Sequence, residues 1–165
     1  METLIRTLPE YSLYKIDAGE LNDTIRFVVE TNYLRHQGEL PPDIEKEIEE
    51  ICEKEQSHLE QSFFLVAKEN TTKKIIGSIR IAQWNGTAKQ IQECPLSLEN
   101  RHLFHIGRLA VSAKGMRRAS VILFKELITR VLNIAYSNIN SIVFAELDRK
   151  LGSTIFRVES SKFAA

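Results

Sequence analysis

Apolar positions along this chain alternate between a spacing of two and a spacing of three to four, the two periods that separate strands from helices. Tyr11 to Ile16 reads as a first strand. Leu21, Ile25, Val28, Val29 and Tyr33 then fall at helical spacing, with Asp17 or Gly19 near the start and His36-Gln37-Gly38 at the end. Leu40-Pro41-Pro42 is a stiff connector, and Asp43 is placed to cap a second helix with the narrow stripe Ile44, Ile48, Ile51, Cys52 and Leu59. Phe63 to Ala67 and Ile75 to Trp84 read as strands around a turn at Asn70-Thr71-Thr72-Lys73. Residues 85–101 form a long irregular loop, followed by a strand from Leu103 to Ser112. The strongest amphipathic helix runs from Ala119 to Tyr136, and its stripe Val121, Phe124, Leu127, Ile128, Val131 and Leu132 is core. Ser141 to Ala145 is the next strand. The order β-α-α-β-β-β-α-β predicts an α/β fold with a mixed central sheet flanked by helices.

The pattern then breaks. Asp148-Arg149-Lys150-Leu151-Gly152 is too short for a helix before Ile155-Phe156-Arg157, so the fold is expected to be incomplete after about residue 146. A chain of 165 residues suggests one domain, 1–165, with a real core.

Charge refines this only locally. Lys+Arg and Asp+Glu both number 22, so the balance makes no case for nucleic acid or an anionic membrane. Asp43 to Glu60 nevertheless holds eight acids against Lys46 and Lys54, a net of −8 + 2 = −6, which leaves +6 for the remainder. A charge run of this kind on a helix reads as a solvated face. Cys52 and Cys94 make neither a disulfide framework nor a metal-ligand spacing, and no metal is expected. No signal peptide and no membrane-spanning run is visible, so a cytoplasmic location is the default expectation.

The most informative stretch is His105-Ile106-Gly107-Arg108-Leu109-Ala110-Val111-Ser112, followed at once by Ala113-Lys114-Gly115-Met116-Arg117-Arg118. An apolar strand enters a turn with three cations and no acid, and the turn opens a helix. Free N–H groups at a helix start and a positive dipole end suit a phosphate or pyrophosphate held by Lys114, Gly115, Arg117, Arg118, Ala119 and Ser120. Solvated basic residues on an ordinary βα turn are the alternative.

With its element order, this junction resembles the Gcn5-related N-acyltransferase superfamily, and within it the acyl-homoserine-lactone (autoinducer) synthases and N-acyl amino acid synthases. Ile25-Arg26-Phe27-Val28-Val29-Glu30-Thr31-Asn32-Tyr33 is similar to an early Arg-x-x-Val-aromatic segment of that branch. Ile76-Gly77-Ser78-Ile79-Arg80-Ile81 is similar to its Gly-x-x-Arg-Leu strand, and His105-x-x-Arg108-Leu109-x-Val111 to its Glu-x-x-Arg strand. Two departures stand out. The acid of the last motif is His105 here, and the glycine-rich turn of acetyl-CoA-dependent members is absent.

The resemblance implies transfer of an acyl group, favoured as long-chain, from a phosphopantetheine thioester to a small primary amine such as an amino acid. The donor would be acyl carrier protein or acyl-CoA, with no permanently bound cofactor; an acetyl-CoA-dependent N-acetyltransferase and a non-catalytic binding module are the rivals. Backbone groups around Leu109 and Val111 would pair with the pantetheine arm. His105, with an ordinary pKa of about 6.5, could take the amine proton, and Arg108 could orient a carboxylate. Structural readings compete: His105 as a hydrogen-bonded strand residue, Arg108 in an ion pair with Glu30. Simple alternation puts His105 and Arg108 on opposite faces, and a β-bulge at Gly107 would bring them together. Arg26, Tyr33, Arg80 and Trp84 are the candidate acceptor-side residues, with core capping the alternative for Trp84.

Overall fold

The computed structural model describes residues 2–84, 101–112, 117–137 and 140–145, with backbone alone at 117–124. Six strands, β1 (Thr3–Thr7), β2 (Tyr11–Lys15), β3 (Ser62–Glu69), β4 (Ile75–Gln83), β5 (His102–Val111) and β6 (Ser141–Ala145), pair in chain order. All neighbours are antiparallel except β5 and β6, which run parallel and make the sheet mixed. The predicted α/β architecture holds. The helices are α1 (Leu21–His36), α2 (Ile44–Gln56) and α3 (Arg117–Tyr136). α1 and α2 follow β2 and precede β3, whereas α3 is the crossover that parallel strands require.

Alternation along the strands divides the core between the two faces. Leu65 and Ala67 of β3, with Ile79 and Ile81 of β4 and Ile106 of β5, pack against Leu127, Val131 and Ala135 of α3. Phe64 and Val66 face the other way, onto Leu21, Ile25 and Val29 of α1 and Ile44 and Ile48 of α2. Arg80 lies between Ile79 and Ile81 and so belongs to the α1–α2 face. That single step of alternation puts a cation beneath two helices.

Four local expectations need correction. β1 was not anticipated: all five of its residues are exposed, so it buries no apolar face that could mark it. α3 begins at Arg117 rather than Ala119, because arginines are good helix formers and extend the first turn. Asp43 occupies the N-cap position of α2 but its side chain makes no capping hydrogen bond. Asp17 does cap, accepting from Gly19 N at 2.9 Å, but the turn that it opens is a short 3-10 helix (Ala18–Glu20) leading into α1. Gly38, just past α1, takes φ +83°, a conformation glycine reaches without a Cβ penalty. The expected loop at 85–101, apart from residue 101, and the expected break after residue 146 lie outside the described residues.

Candidate active site

Four side chains of three chemical types converge on the α1–α2 face of the sheet, and one of them comes from the acid run. Glu55, near the end of α2, is 1% exposed and is one of the largest fully buried side chains. Arg80 Nη1 donates to both of its carboxylate oxygens, at 2.9 and 2.8 Å. Arg108 Nε donates to Oε1 at 2.8 Å, and Arg80 Nη2 lies 2.7 Å from Nδ1 of His105. A guanidinium can only donate, so Nδ1 is the acceptor and the ring carries its proton on Nε2.

The acid run was expected to be a solvated face, and Glu55 corrects that expectation. Ile44, Ile48, Cys52 and Glu55 follow one another at intervals of four, four and three, so Glu55 continues the buried stripe of α2. A carboxylate on the apolar face of an otherwise exposed helix was the available signal. It is buried because two guanidiniums from the sheet replace its water; alone it would be very costly there. The partner of Arg108 is therefore Glu55 and not Glu30, which pairs with Arg26 at 3.5 Å.

A break in strand register brings Arg108 to this face. Ser78 pairs with Ala110 but Arg80 pairs with Gly107, so two steps along β4 are matched by three along β5. The extra residue forms a β-bulge, and Arg108 itself takes φ +54°, in the left-handed region. Ser78 Oγ holds the bulge by donating to the Arg108 carbonyl at 3.2 Å. Gly107 lies close under these side chains: an added Cβ would sit 3.1 Å from His105 Cε1 and 3.3 Å from Arg80 Nη2, so one of them would have to give way. His105 and Arg108 thus share a face through an irregularity next to Gly107.

Trp84 closes the cluster. Its ring centroid is 5.5 Å from that of His105 and 5.8 Å from that of Phe144, and the His105 and Phe144 rings are 5.0 Å apart. Two polar atoms here, Arg80 Nε and Trp84 Nε1, are buried without a hydrogen-bond partner among the described residues. Parallel pairing of β5 with β6 runs from His102↔Ser141 to Ile106↔Ala145, so the bulge lies just past its last described step.

The other predicted residues are placed differently. Arg26 forms a paired contact with Glu45, 2.6 Å for each nitrogen, which raises its pKa and lowers that of Glu45, chiefly through the hydrogen bonds. Tyr33 donates to Glu47 at 2.7 Å, and that bond pushes the phenol upward. Both residues tie α1 to α2, and no hydrogen bond among the described residues links either to the Glu55 cluster. Arg26 also borders an open groove of about 360 Å³ with Lys68, Lys73 and Lys74. Leu109 and Val111 lie on β5 past the pairing with β6, and Arg35 donates to the Val111 carbonyl at 3.0 Å. Lys114 and Gly115 lie outside the described residues; Arg117, Arg118, Ala119 and Ser120 form the first turn of α3, their side chains not described. Half-buried Cys52 has its thiol pKa raised by burial first. Among the described residues no group of three or more His, Cys, Asp or Glu could hold a metal, and no helix is long and apolar enough to cross a membrane.

No protein-family model matches the sequence, and no curated protein matches it either. The fold, however, is shared with solved acetyltransferases. A Gcn5-related N-acetyltransferase from Ralstonia eutropha superposes with a TM-score of 0.65 at 12% identity, over 90% of each chain. A Gcn5-related acetyltransferase from Staphylococcus aureus gives 0.60 at 14% identity, over 92% of this chain and 82% of its own. The PaiA N-acetyltransferase of Thermoplasma acidophilum, solved in complex with coenzyme A, gives 0.58 at 16% identity, over 92% and 87%. Similarity at these identities is one of fold.

Proposed function

We propose that the protein is an N-acyltransferase that moves an acyl group from a phosphopantetheine thioester to a small primary amine. The observation that carries the proposal is the β5 bulge within a Gcn5-related acetyltransferase fold, which brings Arg108, just past the described β5–β6 pairing, onto the same face as His105, which lies within that pairing. Chemistry at this place needs the amine nitrogen to attack the thioester carbonyl. A C–N bond forms, the C–S bond breaks, and the thiol leaves with a proton.

Backbone groups from Leu109 to Val111 are the proposed partners of the pantetheine amides, and the start of α3 that of the phosphates. Lys114, Gly115, Arg117, Arg118, Ala119 and Ser120 make up that phosphate turn. In the proposed reaction His105 and Arg108 line the reacting cleft, with Trp84 and Arg80 on the acceptor side. Because Arg80 occupies His105 Nδ1, the amine proton leaves through water and the imidazole orients rather than abstracts. Arg26 and Tyr33 act at one remove, by holding α1 against α2.

Coenzyme A and acyl carrier protein present the same pantetheine arm. The solved relative that binds coenzyme A supports an acyl-CoA donor, and the aromatic group Trp84–His105–Phe144 supplies an apolar wall for a longer acyl chain. Steady-state assays with acetyl-, octanoyl- and palmitoyl-CoA and the matching acyl carrier proteins, against a panel of amines, test the reading. Turnover with at least one donor is expected, and its kcat/KM should fall when Arg117 and Arg118 are both changed to Ala. A folded protein that neither binds nor turns over any of these thioesters would overturn the proposal.

A further inference from the structure

One cation outside the Glu55 cluster also reaches β5. Arg35 lies in the last turn of α1, and its Nη2 donates to the Val111 carbonyl at 3.0 Å, across 76 residues of chain. A basic residue at this position commonly serves the end carbonyls of its own helix. Here Gln37 N and Gly38 N already meet the Tyr33 carbonyl, at 2.8 and 3.2 Å, and the guanidinium turns to the sheet instead. Arg35 is exposed and has no acidic partner among the described residues.

The carbonyl that it holds faces the outer side of the strand. Ser112 N donates to Ile76 O at 2.9 Å, and Val111 lies opposite Gly77 of β4. Antiparallel strands alternate residues that bond across the pair with residues that point outward, so the N–H and C=O of Val111 turn away from β4. On that outward side the described pairing with β6 has already ended, at Ile106↔Ala145. Val111 is 6% exposed, and a carbonyl so placed is costly to leave without a donor. Arg35 supplies from a helix the donor that a neighbouring strand would otherwise give.

We propose that Arg35 is a latch on the outer edge of β5: it satisfies the Val111 carbonyl in the empty protein and yields it to an amide N–H of the arriving pantetheine arm. The inference rests on the acyltransferase reading for the identity of the arm. Its own content is an exchange of partners at one acceptor. An exposed guanidinium suits that exchange, because water takes over its N–H groups once it leaves, while the carbonyl passes from one donor to the next without standing unpaired.

Arg35→Met keeps the long stem and the helix propensity and removes the donor. Pantetheine is the probe, because it is uncharged and the lost arginine charge then does not enter; coenzyme A is titrated in parallel. Binding is followed through the carbonyl ¹³C resonance of Val111 and the guanidinium ¹⁵N resonances of Arg35, with thermal unfolding confirming that the variant is folded. In the wild-type protein, pantetheine is expected to move the Arg35 resonances to those of a solvated guanidinium while the Val111 carbonyl stays hydrogen-bonded. In Arg35→Met the Val111 carbonyl should be shifted before any ligand is added. Pantetheine should then bind roughly three- to tenfold tighter than to the wild type, the factor expected when one hydrogen bond no longer competes. Equal or weaker binding by the folded variant, no saturable response of either protein to pantetheine, or Arg35 resonances unmoved at saturation would overturn the latch. Coenzyme A binding to the wild type would in that case leave the acyltransferase reading intact. No response to pantetheine or to coenzyme A would remove the latch and the reading together.

Discussion

Glu55 and Arg108 lie 53 residues apart and meet in a 2.8 Å ion pair that exists only because β5 bulges beside Gly107. A regular strand would send residue 108 to the α3 face, among Ile79, Ile81 and Leu127. The bulge exchanges one ladder step for a second cation on the carboxylate. Burial of Glu55, the conformation of Arg108 and the orientation of His105 are therefore coupled.

Removing the carboxylate should expose that coupling as lost stability. Glu55→Ala leaves two guanidiniums facing each other across a buried gap, and breaking a buried pair of this kind costs about 3–5 kcal/mol. Exposed Glu53 in the same acid run is the control, with an expected change within about 0.5 kcal/mol on replacement by Gln. Urea unfolding of the two variants checks both values; equal midpoints would mean that the Glu55 pairs contribute nothing net.

Gly107→Ala tests the packing beneath the imidazole. The new methyl group would lie 3.1 Å from His105 Cε1 and 3.3 Å from Arg80 Nη2, closer than comfortable contact. The expected result is a loss of about 1–3 kcal/mol from overpacking and a displaced His105–Arg80 hydrogen bond. Imidazole ¹⁵N shifts report the second effect, since Nδ1 would no longer accept from the guanidinium. Unchanged shifts and stability would mean that the methyl group is accommodated by the arginine tip alone.

The backbone at Arg108 is open to a comparison of side chains that all lack the ion pair. Asn tolerates the left-handed region and Val does not, because its branched Cβ crowds the carbonyl. Arg108→Val should be less stable than Arg108→Asn by about 1–2 kcal/mol. Thermal and chemical unfolding of the pair measure that gap. Equal stability would indicate that the bulge relaxes when the arginine is gone.

Glu45 carries a pH signature. Its pKa is lowered in the folded protein, first by the hydrogen bonds from Arg26, which together with the arginine's charge outweigh the opposing effect of desolvation. A lowered folded pKa means that this contact stabilises above the unfolded carboxylate range and is lost as pH falls through the folded value. Replacing Arg26 with Met should return the Glu45 carboxyl towards ordinary glutamate values in ¹³C titrations. It should also flatten the acid limb of the stability profile. An unmoved Glu45 titration would show that the pair does not persist in solution.

How much of this was legible beforehand varies by element. The period-two runs of β2 to β6 and the stripes of the three helices were visible, because each of those elements buries one face and the burial writes a repeat into the residues. β1 left no such trace, since an edge strand with all five residues exposed buries nothing. The bulge was foreseeable from Gly107, as a place where a strand can take an extra residue.

Glu55 was hidden by its company. Seven further acids in the same run suggested solvent, and only the interval from Ile48 and Cys52 marked this one as turned inward. Which acid meets Arg108 could not be read from the chain. Glu30 and Glu55 are equally good partners on paper, and the choice depends on how α1 and α2 cross the sheet. Periodicity, then, determined the three helices, strands β2 to β6 and their order, because it is a local consequence of burying one side of each element. The charge cluster was decided by the tertiary structure alone, since buried charges need partners within hydrogen-bond reach and residues 55, 80, 105 and 108 reach one another only after the sheet and α2 have packed.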